Sequence, residues 1–204
     1  MRQRNWPVLG WIRGTDMSTD GHGGLTRPTV GGQLLALRRA WAAAGLDPAA
    51  ADYFEGHGTG TPTGDPVEIA ALAQLMQHEQ QGRRAVPVGS IKANIGHTKA
   101  AAGMAGLLKA LAICTERTIP ATTGCHSPHA IFEQDDVQAA PRITHAAESI
   151  GHASAVVVGV NSFGFGGVNC HVVVEGPRPN TNQGRAAAFP AWIEGRLWGE
   201  LIAV

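Results

Sequence analysis

Apolar, β-branched runs alternate with helical patterns along most of this chain, and that alternation constrains its fold more than any other feature. Five runs bounded by turn residues read as strands: roughly 8–13, 52–57, 86–92, 155–161 and 171–175. A helix pattern follows each of the first three. The first, over 33–44, carries Leu34, Leu35, Leu37 and Trp41 on one side and stops at Gly45, the residue type suited to the left-handed turn after a helix. The second opens on Asp65-Pro66-Val67-Glu68, with Asp65 as N-cap, Pro66 at the first helical position and Glu68 three residues on. Its apolar face is Ile69, Leu72, Leu75 and Met76, and it runs into a loop near Gly82. The third spans about 99–117 with a stripe of Met104, Leu107, Leu108 and Leu111, and Pro120 enforces its stop.

Repetition of strand and helix predicts an α/β fold with parallel strands and right-handed crossovers. The closing pair differs. Ser162-Phe163-Gly164-Phe165-Gly166-Gly167 separates 156–160 from 172–174, which reads as a hairpin-like antiparallel finish. Residues 118–154, with Pro120, Pro128 and Pro141, read as a long irregular excursion. From Gly176 the chain reads as a linker, followed by a short apolar segment with Trp192, Ile193, Leu197 and Trp198.

Composition removes several classes of function. Sixteen basic residues balance sixteen acidic ones, so nothing here neutralises a row of phosphates and no nucleic-acid partner is expected. Hydrophobic residues make up 44% of the chain, enough for a packed core and against disorder. Glycine supplies 27 of 204 residues, roughly twice the ~7% ordinary share, which points to many tight loops. Three cysteines, at 114, 125 and 170, make no disulfide framework and fit a reducing, cytoplasmic compartment. The first residues are broken by Pro7, Gly10 and Arg13, unlike a signal peptide, and no run approaches the ~18 apolar residues of a membrane span, so no membrane partner is expected.

Chemistry concentrates at two strand ends. His57 closes the second strand and leads into Gly58-Thr59-Gly60-Thr61. The carboxyl edge of a parallel sheet is where ligands bind, the glycines let backbone approach a substrate, and the hydroxyls of Thr59 and Thr61 suit an amide-rich ligand. His97 occupies the equivalent place after the third strand, in Asn94-Ile95-Gly96-His97, just ahead of a helix whose N-terminus disfavours an imidazolium. Lys92 ends that same strand. Two neutral histidines at matched strand ends can jointly donate hydrogen bonds to a developing oxyanion. Elsewhere, Cys125-His126 with His129 lacks the second ligand pair of a zinc site and reads as loop with no metal. The glycine-rich stretches match neither dinucleotide nor P-loop templates, and no cysteine sits in a strand-to-helix elbow.

Three motifs in register, EGHGTGTPTGDPVE, VGSIKANIGHTKAAAG and GVNSFGFGGVNCHVVVEG, resemble the C-terminal half of a β-ketoacyl synthase, more narrowly the ketosynthase domain of a type I polyketide synthase. The resemblance covers about 11–175. It implies a thiolase-like fold of which this chain holds the second half, over 1–176, with 177–204 as linker and the start of an adaptor preceding an acyltransferase. It implies decarboxylative Claisen condensation of a malonyl-type extender, with no cofactor beyond the phosphopantetheine arm of an acyl carrier protein that carries the substrates. Matched by motif, His57 and His97 polarise the thioester carbonyl and Lys92 supports them. Thr59 and Thr61 hold the phosphopantetheine arm, and Phe163 and Phe165 lie in the gating loop near the active-site entrance.

The family's nucleophilic cysteine belongs to an N-terminal half that has no counterpart here. The resemblance therefore implies a chain inactive in acyl transfer alone, completed by that half and working as a homodimer, with an apolar surface left uncovered. Two other readings stay open at this level: a non-catalytic half that docks acyl carriers or complements a partner, and a truncated product without function.

Overall fold

The computed structural model describes residues 8–21, 27–77, 85–133 and 141–179. Within them run β1 (Trp11–Thr19), α1 (Val30–Ala44), β2 (Tyr53–Glu55), α2 (Gly64–Met76), β3 (Val86–Gly89), α3 (Lys92–Ile95), α4 (Ala102–Glu116), β4 (Thr118–Ile119), β5 (Pro141–Arg142), β6 (Glu148–Ser149), β7 (Val157–Gly164) and β8 (Val168–Glu175). Six strands form one sheet in the order β1-β8-β7-β2-β3-β5. β2 pairs in parallel with β3 and β7, and β3 with β5, while β8 runs antiparallel to both β7 and β1. Every strand of this sheet except β8 therefore points the same way, and the antiparallel finish is present as expected.

The first strand departs from expectation twice. It does not neighbour β2, because the β7–β8 hairpin lies between them. It also runs on from Gly14 to Thr19, where the ladder to β8, after an irregularity between Ile12 and Gly14, holds residues as polar as Thr15, Asp16 and Ser18. Backbone pairing, rather than apolar pattern, decides that stretch.

Side chains alternate across the sheet. Phe54, Val157 and Val173 face α1 and α2, where they meet Leu37, Trp41, Leu72 and Leu75. Tyr53, Val158, Val160 and Val174 face α4, against Ala110, Ile113 and Cys114. Burial on both faces explains why β7 reads as an unbroken apolar run.

The helices correct three expectations. In α1, Leu34, Leu37 and Trp41 are buried but Leu35 stands 41% exposed. α2 begins one residue earlier than Asp65 and has no side-chain cap on Thr63. Asp65 instead accepts the Gly60 N–H across the preceding loop, because the loop's donors are nearer than the helix's own. In α4, Met104 and Leu108 are 58% and 53% exposed, and the packed side is Gly106, Ala110 and Ile113. A Cβ on Gly106 would lie 3.1 Å from Glu55 Cγ, so only small residues let this helix sit so close to the sheet. Strand β3 ends at Gly89, and Lys92 opens α3 instead of closing the strand. The excursion 118–154 is pinned by short bridges, β4 to β6 and β5 to β3. The loop at Gly82 and the apolar segment with Trp192, Ile193, Leu197 and Trp198 lie outside the described residues. Among the described residues, no helix is long and apolar enough to cross a membrane.

Candidate active site

β2 and β3 end side by side, and the chain leaves them through Gly56 and Gly89, joined by a 2.7 Å backbone hydrogen bond. The two loops that follow carry His57 and His97. Gly58 turns the first of them at φ +41°, and a Cβ there would stand 2.7 Å from Ser90 Cβ in the second. A side chain at 58 would separate the loops that the site needs in contact.

Each loop is fastened from below by a buried carboxylate, one on each face of the sheet. On the α2 face, Glu68 Oε1 accepts the His57 N–H at 2.6 Å and Oε2 the Gly58 N–H at 2.9 Å. Asn161 Nδ2 donates to the same carboxylate at 2.8 Å, and Asn161 is held in turn by His171 Nδ1 at 2.6 Å. Burial pushes the Glu68 carboxyl up, and the amide donors pull against that. On the α4 face, Glu55 Oε1 accepts the Ile91 N–H at 2.6 Å, and its Oε2 lies 2.8 Å from Lys109 Nζ. Lys109 also donates to the Tyr53 hydroxyl at 2.7 Å. Burial works against the Lys109 ammonium, but Tyr53 and Glu55 outweigh it and hold it above its ordinary value.

On this support the two imidazoles meet edge to face, with ring centroids 5.5 Å apart. The Phe163 N–H donates to His57 Nδ1 at 3.4 Å, and the Lys99 N–H donates to His97 Nδ1 at 3.0 Å. With both Nδ1 atoms used as acceptors, the neutral rings carry their protons on Nε2. Burial, then the Lys92 charge, then His97 lower His57 to about 4, so its ring is neutral at pH 7. Burial lowers the half-buried Lys92 as well, while Glu55 and Glu68 act to raise it. Two imidazole N–H donors beside a cation can stabilise negative charge on one oxygen.

The remaining expected residues divide. The Phe163 ring packs 5.7 Å from His57. Thr59 and Thr61 join hydroxyls at 3.3 Å on the exposed side of the His57 loop, and Thr61 also accepts the Gly64 N–H. Phe165 is not brought in: it stands 87% exposed in the turn between β7 and β8. Among the described residues no group of three His, Cys, Asp or Glu side chains is arranged to hold a metal. Cys114 is buried in α4 with its thiol pushed up to about 12 by burial. Burial and then Asp65 push Cys125 up too. Cys170 lies in β8 opposite Ser162 and Met17.

Sequence reading missed Glu55, Glu68 as a loop anchor, Lys109, Asn161 and His171. A carboxylate directly following Tyr53-Phe54 in a buried strand was the available signal, since such a charge needs a partner.

The family model for the β-ketoacyl synthase C-terminal domain matches residues 9–126, a span that holds the His57 and His97 loops. The chain belongs to the β-ketoacyl synthase family. It is 38% identical over 175 residues to a highly reducing polyketide synthase of Gibberella zeae, covering 85% of this chain and 7% of that protein. It is 39% identical over 174 residues to one component of a polyunsaturated fatty acid synthase from Thraustochytrium, covering 82% and 6%. Among solved structures it resembles ketosynthase twelve of the bacillaene polyketide synthase from Bacillus amyloliquefaciens, at TM-score 0.80 and 28% identity over 87% of this chain and 32% of that one. An oxazolomycin ketosynthase domain from Streptomyces albus gives TM-score 0.78 and 32% identity, over 88% and 31%. The chain thus spans about a third of each of these solved chains, and its fold is the C-terminal half of a thiolase-like ketosynthase.

Proposed function

We propose that this chain is the histidine-bearing part of a β-ketoacyl synthase of the polyketide and fatty-acid type, and that its histidines drive decarboxylative Claisen condensation. The observation that carries the reading is the pair His57 and His97, each with Nδ1 occupied by a backbone N–H. Their Nε2–H groups donate to the thioester oxygen of a malonyl-type extender. As the C–C bond to the carboxylate breaks, the electron pair becomes an enolate whose oxygen those donors stabilise, and CO₂ leaves. The enolate carbon then attacks an acyl thioester, and a thiolate departs.

Lys92 keeps the region positive, Thr59 and Thr61 bind the phosphopantetheine arm of an acyl carrier protein, and Phe163 lines the entrance. Phe165, exposed at the turn, belongs to the same gating loop. No resident cofactor takes part in this scheme. The acyl-bearing thiolate is assigned to the N-terminal ketosynthase half: here Cys114 is buried with its thiol pushed up to about 12, Cys125 is raised as well, and Cys170 lies within the β8 ladder. The reading makes the N-terminal ketosynthase half its partner, the full domain a homodimer in the cytoplasm, and residues 177–204 the lead into an adaptor.

The test is CO₂ release from malonyl-loaded carrier protein by this chain joined to that half. His57→Ala is expected to lower the rate about a hundredfold to a thousandfold, the loss typical of one oxyanion donor. Unchanged release from the alanine variant overturns the reading.

A further inference from the structure

At the edge of the sheet opposite the histidine pair, a second constellation of reactive side chains lines a cavity. Asp52 immediately precedes β2, whereas His57 follows it, so the two sites lie roughly 16 Å apart along the strand. Asp52 Oδ1 is 2.8 Å from His152 Nε2, and His152 Nδ1 is 2.8 Å from Ser154 Oγ. Asp52 is 5% exposed, whereas the Ser154 side of the chain is open to solvent. The adjoining cavity, of about 390 Å³, is walled by Ala51, Met76, Val86 and Val157, with Arg178 also lining it.

The loop bearing His152 and Ser154 is held at several points. Asp52 Oδ2 accepts the Val157 N–H at 3.0 Å, and the Asp52 N–H donates to Val157 O at 2.8 Å. From the other side, the Arg117 guanidinium donates to the carbonyls of Ile150, His152 and Ser154. Arg117 adopts φ +52° at the end of α4, a conformation L side chains take at a cost, and its own carbonyl accepts the Ile150 N–H. The strained residue thus fixes the backbone on which the imidazole and hydroxyl sit.

Carboxylate, imidazole and hydroxyl, in hydrogen-bonded series, are the parts of serine nucleophilic catalysis. Here the two ring nitrogens exchange the roles they have in chymotrypsin-like enzymes, which the two equal distances permit. We propose that Asp52, His152 and Ser154 form a second, serine-based acyl-transfer site that takes short-chain carboxylic esters, their acyl groups seated in the alanine- and valine-walled cavity. Ser154 Oγ attacks the ester carbonyl as its proton passes to His152 Nδ1. The C–O bond to the alcohol then breaks, and the alcohol leaves with that proton. Water attacks the acyl-serine, giving a proton to His152 and then back to Ser154 Oγ as the carboxylic acid departs. Asp52 Oδ1 accepts the Nε2–H throughout.

The 204-residue chain tests this directly, with a fluorophosphonate probe mapped by mass spectrometry and p-nitrophenyl acetate as substrate. Ser154 is expected to be the labelled residue, and Ser154→Ala to lower hydrolysis at least tenfold with an unchanged thermal melt. Ser154→Thr keeps the hydrogen bond to His152 but crowds the nucleophile, so it is expected to lose labelling as well. A hydroxyl with a merely structural role would leave hydrolysis unaltered in both variants. That outcome, or labelling of other serines as fast as Ser154, overturns the proposal and leaves the His57–His97 reading untouched.

Discussion

Residue by residue, the placing of the two histidines rests on the groups that hold their loops. Glu68 accepts the amides of His57 and Gly58 and the side chain of Asn161. Glu68→Ala leaves these donors unpaired, at about 1–3 kcal/mol for each that water cannot reach. Denaturant unfolding is expected to show that loss, together with weaker decarboxylation. Two histidines also set a pH dependence. Burial lowers His57 to about 4 and His171 to about 3, whereas both bind protons near pH 6.5 once the chain unfolds. Between pH 6.5 and 4 the unfolded state therefore holds more protons, and stability falls as pH falls, with a limiting slope of about 1.4 kcal/mol per pH unit for each ring. His171→Gln, which still donates to Asn161, is expected to remove one of these contributions and flatten the acid limb of the stability curve.

Among the elements, α4 shows why a helix can be recognised and its buried face mistaken. Leucine spacing marks a helix here, and α4 fills Ala102–Glu116 of the expected 99–117. The side against the sheet, however, is Gly106, Ala110 and Ile113, with Leu107 and Leu111 at its border, because Glu55 and Tyr53 of β2 stand under it. Lys109 reaches down from that helix to Glu55. Lys109→Met strands a carboxylate that is only 1% exposed, so a loss of about 3–5 kcal/mol is expected. Adding Glu55→Gln should recover part of it, and a double-mutant cycle by thermal melting checks both. The same contrast holds for α2. Asp65 and Glu68 have the spacing of a capped helix start, yet one closes a loop and the other anchors His57, since unpaired loop amides lie closer than the helix's own.

Over the whole molecule, the apolar residues left outside tell on behaviour in solution. Met104 and Leu108 on α4, with Ile12 and Met17 on β1, are more than half exposed. Met104 and Leu108 stand one helical turn apart, and an exposed apolar pair of this kind promotes association. The isolated chain is expected to elute above its 21.3 kDa mass, and Met104→Lys with Leu108→Glu to shift it toward monomer. A sharp monomeric peak with cooperative melting from the unmodified chain counts against this.

The sequence by itself determined the α/β class, the three long helices, the antiparallel finish, and that His57 and His97 follow the second and third strands. Each of these is local: periodicity, a turn residue or a glycine-bounded motif expresses it within a dozen residues. Only the tertiary structure decided that β7 and β8 separate β1 from β2, that α4 turns its small residues inward, and that Glu55 and Glu68 each fasten a loop bearing or adjoining the histidine pair. It alone joined Asp52 to His152 and Ser154, a hundred positions along the chain. Strand order and buried charge pairing are settled by which distant backbones and side chains satisfy one another, and a local pattern carries no record of that partner.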